Sequence, residues 1–322
     1  MITEAIRNFP KQFEVELEIG NKEEWKKYDR FCVVGMGGSA LPTNLLKSLR
    51  PLLDIVLHRD YGLPELPEDQ WEYRMVILSS YSGNTAEPID AFSEAFKRDL
   101  PMAVISVGGK LLELAKKHDV PYIQIPDTGI QPRMATGFML LSLLKLIQDE
   151  ELYEKAKLLA FQLKPEDLEE EGKILAQKLQ GKVPVIYSSQ KNASIAYAWK
   201  IKFNESSKIP AFTNVFPELN HNEMNGFDVI ESTRELSGRF GFLFLEDNDD
   251  SAQIKKRMQV LQKLYEKRGF LVERVSLEGP SDLFTIFSSL TLADWTAYHT
   301  SQFYGTGPEQ VPMVEELKRL VS

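Results

Sequence analysis

Gly35-Met36-Gly37-Gly38-Ser39-Ala40 follows the apolar run Phe31-Cys32-Val33-Val34 and opens a helical pattern that continues through Arg50. A short apolar run, a glycine turn and a helix form the first half of a strand–helix–strand unit. The bland reading of the glycines is a tight turn between strand and helix. The loop also fits the dinucleotide pattern G-x-G-x-x-G/A. Asp54 lies at a distance downstream that would suit a ribose carboxylate. This stretch sets the fold class as α/β and leaves two ligands open, a dinucleotide or a smaller phosphate.

Outward from the loop the alternation continues. Asp54–His58, Met75–Ser79, Ala103–Val107 and Tyr122–Ile125 read as strands, with helical segments at Ala40–Arg50, Glu87–Lys97 and Leu111–Lys117. A long apolar helix is expected over Met134–Asp149. A charged stretch of helical period covers Glu150–Gln180, with Pro165 as a start signal. The alternation then restarts, with strands at Val183–Ser188, Phe240–Leu245 and Leu271–Val275. Helices are expected at Ala193–Phe203, Ala252–Lys267, Ser281–Tyr304 and Pro312–Leu320. The 322 residues exceed one ordinary core, so two units are expected, 1–152 and 153–322, each a parallel sheet flanked by helices.

A second loop decides between the ligands. Ser80-Tyr81-Ser82-Gly83-Asn84-Thr85 follows the third apolar run and precedes the helix that starts near Ala86. Two serines, a threonine and a flexible glycine at a helix N-terminus gather donors for an anion. Thr85 alone would serve as a helix cap, but capping needs one hydroxyl, not three. A dinucleotide has no use for a second hydroxyl loop. The reading favours a sugar phosphate over NAD.

Composition narrows the partners. With 47 acidic and 38 basic residues the net charge is −9, a poor match for nucleic acid or an anionic membrane surface. The single cysteine, Cys32, lies in an apolar run and reads as a small buried hydrophobe. The N-terminus lacks the basic and apolar regions of a secretory signal, and the longest apolar stretch, Gly137–Leu144, is too short for a span. A cytoplasmic protein is expected. His58, His118 and His299 have no metal-ligand spacing, and Asp247-Asn248-Asp249-Asp250 lacks the glycine and terminal Glu of a calcium loop. No metal and no cofactor are expected, and the aspartate run reads as a polar turn capping the next helix.

The G-x-G-G-S and S-x-S-G-N-T loops resemble those of sugar isomerase (SIS) domains. Phe216-Pro217-Glu218-Leu219-Asn220-His221-Asn222-Glu223 is similar to the P-E-x-N-H-N-E segment of the bifunctional phosphoglucose/phosphomannose isomerases. That resemblance implies two SIS-type domains and aldose–ketose isomerisation of hexose 6-phosphates. It implies substrate contacts by Gly38, Ser39, Ser80, Ser82 and Thr85. Arg133 in Gln131-Pro132-Arg133-Met134 would be the active-site arginine, and Glu205, sixteen residues before His221, the catalytic base. His221 would open the sugar ring, and Lys318 would be the lysine of the last helix. It also implies a homodimer in which the histidine enters the neighbouring subunit's site. Two positions depart from the family pattern. Val311-Pro312 stands where Thr-Pro is usual, and Gly305-Thr306-Gly307-Pro308 replaces an Asp-Pro turn. The valine bears on the mannose epimer more than on glucose.

Such an isomerisation moves a proton between C1 and C2 through an enediolate. It needs a carboxylate, a cation for the developing oxyanion and an acid/base group for ring opening. Glu205, Arg133 and His221 supply one of each. The rival reading is a non-catalytic SIS module that senses a sugar phosphate; it would keep the serine loops but need neither Glu205 nor His221. An amidotransferase isomerase half would require a glutaminase cysteine near the N-terminus.

Overall fold

The computed structural model describes residues 1–321 and divides them into two compact units, Asn8–Leu163 and Met1–Arg7 with Lys164 onward. The junction therefore falls later than the expected 152/153 boundary, and the first seven residues belong to the second unit. Both shifts have local causes. The helix Ile2–Arg7 buries Ile2 and Ile6, and Arg7 pairs with Glu169 at 2.9 Å and lies over the Trp295 ring. The expected helical stretch 150–180 breaks into shorter helices. The first of these, Glu150–Lys157, stays with the first unit through Arg50–Asp149 at 2.8 Å and a Lys157–Glu16 pair.

The first unit carries β1 (Ile19–Gly20), β2 (Arg30–Gly35), β3 (Asp54–His58), β4 (Arg74–Ser79), β5 (Met102–Ser106) and β6 (Tyr122–Gln124). The sheet order is β1-β6-β5-β4-β2-β3, parallel except for β1. All six residues of β4 are buried, as expected of a parallel strand covered on both faces. Val34, Leu78, Phe92 and Leu111 form a core between this sheet and the helices Ala86–Lys97 and Gly109–Lys117. Cys32 is fully buried there, which pushes its thiol up to about 12 and leaves it inert at neutral pH.

The second unit carries β7 (Val183–Ser189), β8 (Phe212–Phe216), β9 (Phe240–Asp247) and β10 (Leu271–Leu277) in the order β10-β9-β7-β8, all parallel. Aromatic rings fill its core: Phe227 meets Phe242 edge-on at 4.9 Å, and Tyr265 lies 4.3 Å from Phe242. The long helix Asp282–Tyr304 closes against the helix Glu169–Lys178 at Gly172, where a Cβ would stand 2.6 Å from that of Trp295. Among the described residues no helix is long and apolar enough to cross a membrane.

Both sheets share one winding. In the first, β3 lies on one side of β2 and β4 on the other; in the second, β8 and β9 flank β7 in the same way. The chain therefore reverses direction between β2 and β4 and again between β7 and β9. A crevice opens beyond the carboxyl ends of those strands, where open α/β sheets bind ligands.

Candidate active site

In the first unit the crevice is built from the loops after β2 and β4. Gly37 has φ +49°, and the helix Gly37–Leu49 starts there, three residues earlier than the sequence pattern indicates. A Cβ on Gly38 would stand 2.9 Å from the Pro132 carbonyl and 3.1 Å from the Arg133 amide. That close approach requires glycine and sets the buried Arg133 beside the first loop.

The hydroxyls knit the two loops together. Ser39 Oγ accepts from the Tyr81 amide at 3.0 Å, and Ser79 Oγ donates to the Ser39 carbonyl at 3.0 Å. Ser80 Oγ and Thr85 Oγ1 lie 2.8 Å apart, and the Gly83 amide donates to Ser80 Oγ. Ser82 is exposed, and its Oγ accepts from the Asn84 amide at 3.2 Å. Thr85 stands at the N-cap position of the helix Ala86–Lys97, yet its side chain caps nothing. Met36 likewise gives no side-chain cap to the helix Gly37–Leu49. Two helix N-termini thus face this crevice with their first amides not taken by capping side chains. Each carries about half a positive charge, a setting for a compact dianion.

Asp54 does not serve a dinucleotide. It is the first residue of β3, at the sheet edge opposite the glycine loop, and pairs with Arg74 at 2.8 Å. Five residues of strand, about 16 Å, separate that edge from the crevice end.

In the second unit Glu205 lies on the π turn Phe203–Ser207, which prolongs the helix Ala193–Lys202. Wide turns of this kind recur at functional sites. Lys208, with φ +59°, ends the turn and donates to the Glu205 carbonyl and, at 2.8 Å, to that of Gly307. Ser207 Oγ donates to the Ala297 carbonyl at 2.8 Å, tying the turn to the long helix. The Glu205 side chain itself is half-buried.

His221 stands past the far end of β8, directly after the turn Glu218–Asn220 and before the turn Glu223–Phe227. The ring is exposed, while its neighbours are tied down. Leu219 is fully buried, Asn222 Nδ2 donates to Glu218 at 2.8 Å and Arg257 donates to Asn220 at 3.3 Å. Tyr187, Asn214 and Glu223 form a hydrogen-bonded cluster that sequence reading passes over, because it joins three distant segments. The helix between β7 and β8 runs back along the sheet, so Glu205 and His221 lie off opposite ends of β8. Lys318 sits on the helix Pro312–Val321, of which no residue is buried, and pairs with Glu315 at 2.8 Å. The structure thus gathers Gly38, Ser39, Ser80, Ser82, Thr85 and Arg133 in one unit. It keeps Glu205, His221 and Lys318 on separate segments of the other. Among the described residues no cluster of His, Cys, Asp and Glu is able to hold a metal ion.

Comparison with known proteins gives three findings. Residues 168–321 match the model of the bacterial phospho-glucose isomerase C-terminal SIS domain. Over 98% of this chain, a protein of Caldicellulosiruptor bescii is 34% identical and one of Aquifex aeolicus 33%, each covered over 97% of its length. Both are named bifunctional phosphoglucose/phosphomannose isomerase. Among solved structures, a glucosamine-6-phosphate deaminase of Thermotoga maritima superposes with a TM-score of 0.68 at 17% identity. The match covers 97% of this chain and 96% of that one and speaks to the fold alone.

Proposed function

Since the chain belongs to the family of bifunctional phosphoglucose/phosphomannose isomerases, we propose that it interconverts fructose 6-phosphate with glucose 6-phosphate and, to a lesser extent, with mannose 6-phosphate. One observation carries the assignment to the crevice. Two helix N-termini without side-chain caps meet over a cluster of serine and threonine hydroxyls, with no carboxylate in either loop. The phosphate takes that place, held by the loops of Gly38, Ser39, Ser80, Ser82 and Thr85. Each half of the chain is one SIS-type domain, and the enzyme works in the cytoplasm.

Glu205 carries the proton between C1 and C2, Arg133 stabilises the enediolate oxygen, and His221 protonates the ring oxygen as the pyranose or furanose opens. Lys318 assists at a hydroxyl once its helix is engaged. The proton is removed from one carbon and returned to the next by Glu205, with Arg133 facing the enediolate oxygen, so this route assigns no step to a metal or a nicotinamide. Val311 in place of threonine is the reason to expect glucose over mannose.

The placement of Glu205 and His221 off opposite ends of β8 supports a two-fold homodimer with shared sites. Within one unit the five-residue strand alone separates them by about 16 Å, too far to act on adjacent sugar atoms. His221 then serves the neighbouring subunit. The exposed, pinned segment Glu218–Phe227 is the contact that delivers it.

The test is a coupled assay on fructose 6-phosphate that reads glucose 6-phosphate and mannose 6-phosphate separately, before and after EDTA dialysis. Glu205→Gln should lower turnover by about 10³-fold, within the range of a positioned general base. A wild-type protein that binds fructose 6-phosphate without turning it over would replace this reading with that of a sugar-phosphate sensor. For the shared site, inactive Glu205→Gln and His221→Ala subunits should regain activity on exchange, through one intact site per heterodimer. An exchanged mixture that regains nothing would return both residues to a single chain.

A further inference from the structure

The turn that carries His221 is anchored by a carboxylate with both oxygens occupied. Tyr187 Oη donates to Glu223 Oε1 and Asn214 Nδ2 donates to Glu223 Oε2, each at 2.5 Å. Tyr187 and Asn214 are register partners on β7 and β8, so their side chains leave the same face of the sheet next to each other. Glu223 bridges this pair. Asn214 is itself held, because its Oδ1 accepts from the Val215 amide at 2.8 Å. The Tyr187 ring is fully buried among Phe216, Phe242 and Phe244, with centroids 5.4–6.0 Å away. Burial, then Tyr265 and Glu223, push its phenol far above the usual tyrosine range, so it remains a donor at any working pH.

A buried tyrosine needs a partner for its hydroxyl, and any carbonyl would do. A carboxylate bound by donors on two strands does more, since it fixes the chain in two directions. Glu223 lies two residues from His221. Between them the Asn222 side chain accepts from the Glu223 amide at 2.5 Å and donates to Glu218, closing the turn from the other side. Leu219 and Phe227, four residues to either side of Glu223, are both in the core. His221 is left as the exposed ring on a turn fixed at three points.

We propose that Tyr187, Asn214 and Glu223 are positioning residues for His221, holding its imidazole at a fixed place past the carboxyl end of β8 so that ring opening needs no rearrangement of the turn. This rests on the ring-opening role proposed above for His221. The three residues do not touch the sugar.

A double-mutant cycle tests it. Tyr187→Phe keeps the ring in its core and removes only the hydroxyl. On fructose 6-phosphate it should lower kcat about tenfold with KM within twofold, since small displacements of an acid/base group act on turnover. In the His221→Ala background, its residual turnover read at high enzyme concentration, the same change should have no further effect on kcat. Should Tyr187→Phe fold poorly by urea midpoint, Asn214→Leu probes the second arm on a more exposed side chain and should give the same non-additive pattern. An equal loss in both backgrounds, or no loss in either, would overturn the positioning role while leaving His221 in place. If His221→Ala alone turns over normally, the role of His221 falls, and this proposal with it.

Discussion

The two crevices share one winding and have opposite contents. Between β2 and β4 the loops offer hydroxyls, glycines and helix ends without side-chain caps. Between β7 and β9 the same positions hold Ser189–Asn192 and Asp247–Ser251, where the side chains of Lys191 and Asn192 donate to Asp247 and Ser251 caps a helix. Asp247 accepts from Lys191 Nζ at 3.1 Å, Asn192 Nδ2 at 2.9 Å and the Asp249 amide at 2.8 Å. Ser251 Oγ caps the helix Ala252–Lys267 through the Ile254 amide, so the cap is this serine rather than the aspartate run. A phosphate entering this second crevice would meet Asp247 and Asp250 in place of donors. The winding supplies a place for an anion, and side chains decide whether an anion is admitted.

The most direct way to break the contrast is to give the first crevice what closes the second. Ser82 is exposed, so Ser82→Asp adds a carboxylate without burying it. Like charges facing across a site cost several kcal/mol, and each 1.4 kcal/mol is a factor of ten. The expected result is a KM for fructose 6-phosphate raised by about 100-fold, with the thermal midpoint close to wild type. Asp247→Asn in the second crevice should leave KM unchanged. Equal KM values for wild type and Ser82→Asp would move the phosphate out of this loop.

Glycines sharpen the comparison on the side of stability. Gly83 has φ +71°, and a Cβ there would stand 1.8 Å from the Gly108 carbonyl oxygen. Either the hydroxyl loop or the loop after β5 must move, so Gly83→Ala is expected to cost about 3 kcal/mol or more, among the large single-residue effects. Gly269, with φ +85°, has nothing within 4 Å of its Cβ position. Gly269→Ala should cost only the left-handed strain, about 1–2 kcal/mol. Urea unfolding read at the midpoint separates the two. Equal losses would mean that the loop after β5 yields to a Cβ at Gly83 without cost.

Much of this was legible in the chain itself. The apolar runs that became β2 to β7, β9 and β10 are short and bounded by turn residues, and the helix Ala252–Lys267 matches its pattern end to end. Other features were hidden for physical reasons. β8 lies between Pro210 and Pro217 and carries Asn214 mid-strand, so no apolar run marks it; its place comes from pairing with β7. β1 is two residues long and exists only through β6. The helix Gly37–Leu49 begins at glycines, which read as loop because nothing local reveals Pro132 pressed against Gly38. Thr85 has the sequence of a cap and the geometry of a loop strut. Single residues marked the chemistry of the hydroxyl loops, whereas the Tyr187–Asn214–Glu223 cluster depends on strand register, which one sequence does not display.

The smallest expected effect concerns how the second crevice is kept closed. Asp250 is buried, and burial pushes its carboxyl above the ordinary aspartate range. A hydrogen bond from Ser189 opposes the shift, and the charge of Asp247 adds to it. Asp247 goes the other way: burial raises it, but hydrogen bonds from Asn192, the Asp249 amide and Lys191 outweigh that and hold it low. The two carboxyls therefore pull stability in opposite directions with pH. Asp247 stabilises above the ordinary aspartate pKa, and that contribution is lost as acid protonates the folded state. Asp250 binds its proton more tightly folded than unfolded, so its contribution is full below the ordinary pKa and is lost as pH rises through the folded value. At pH 7 the ionised Asp250 is a net burden that asparagine would not carry, while the asparagine oxygen still accepts from Ser189. Asp250→Asn should then raise the thermal midpoint by a few degrees at pH 7, with the gain fading as pH approaches 4. Asp247→Asn should lower it at pH 7, with the loss shrinking over the same interval. A gain for Asp250→Asn that persists unchanged at pH 4 would mean that relief of packing, not of charge, is its cause, and that the second crevice is closed by shape rather than by its carboxylates.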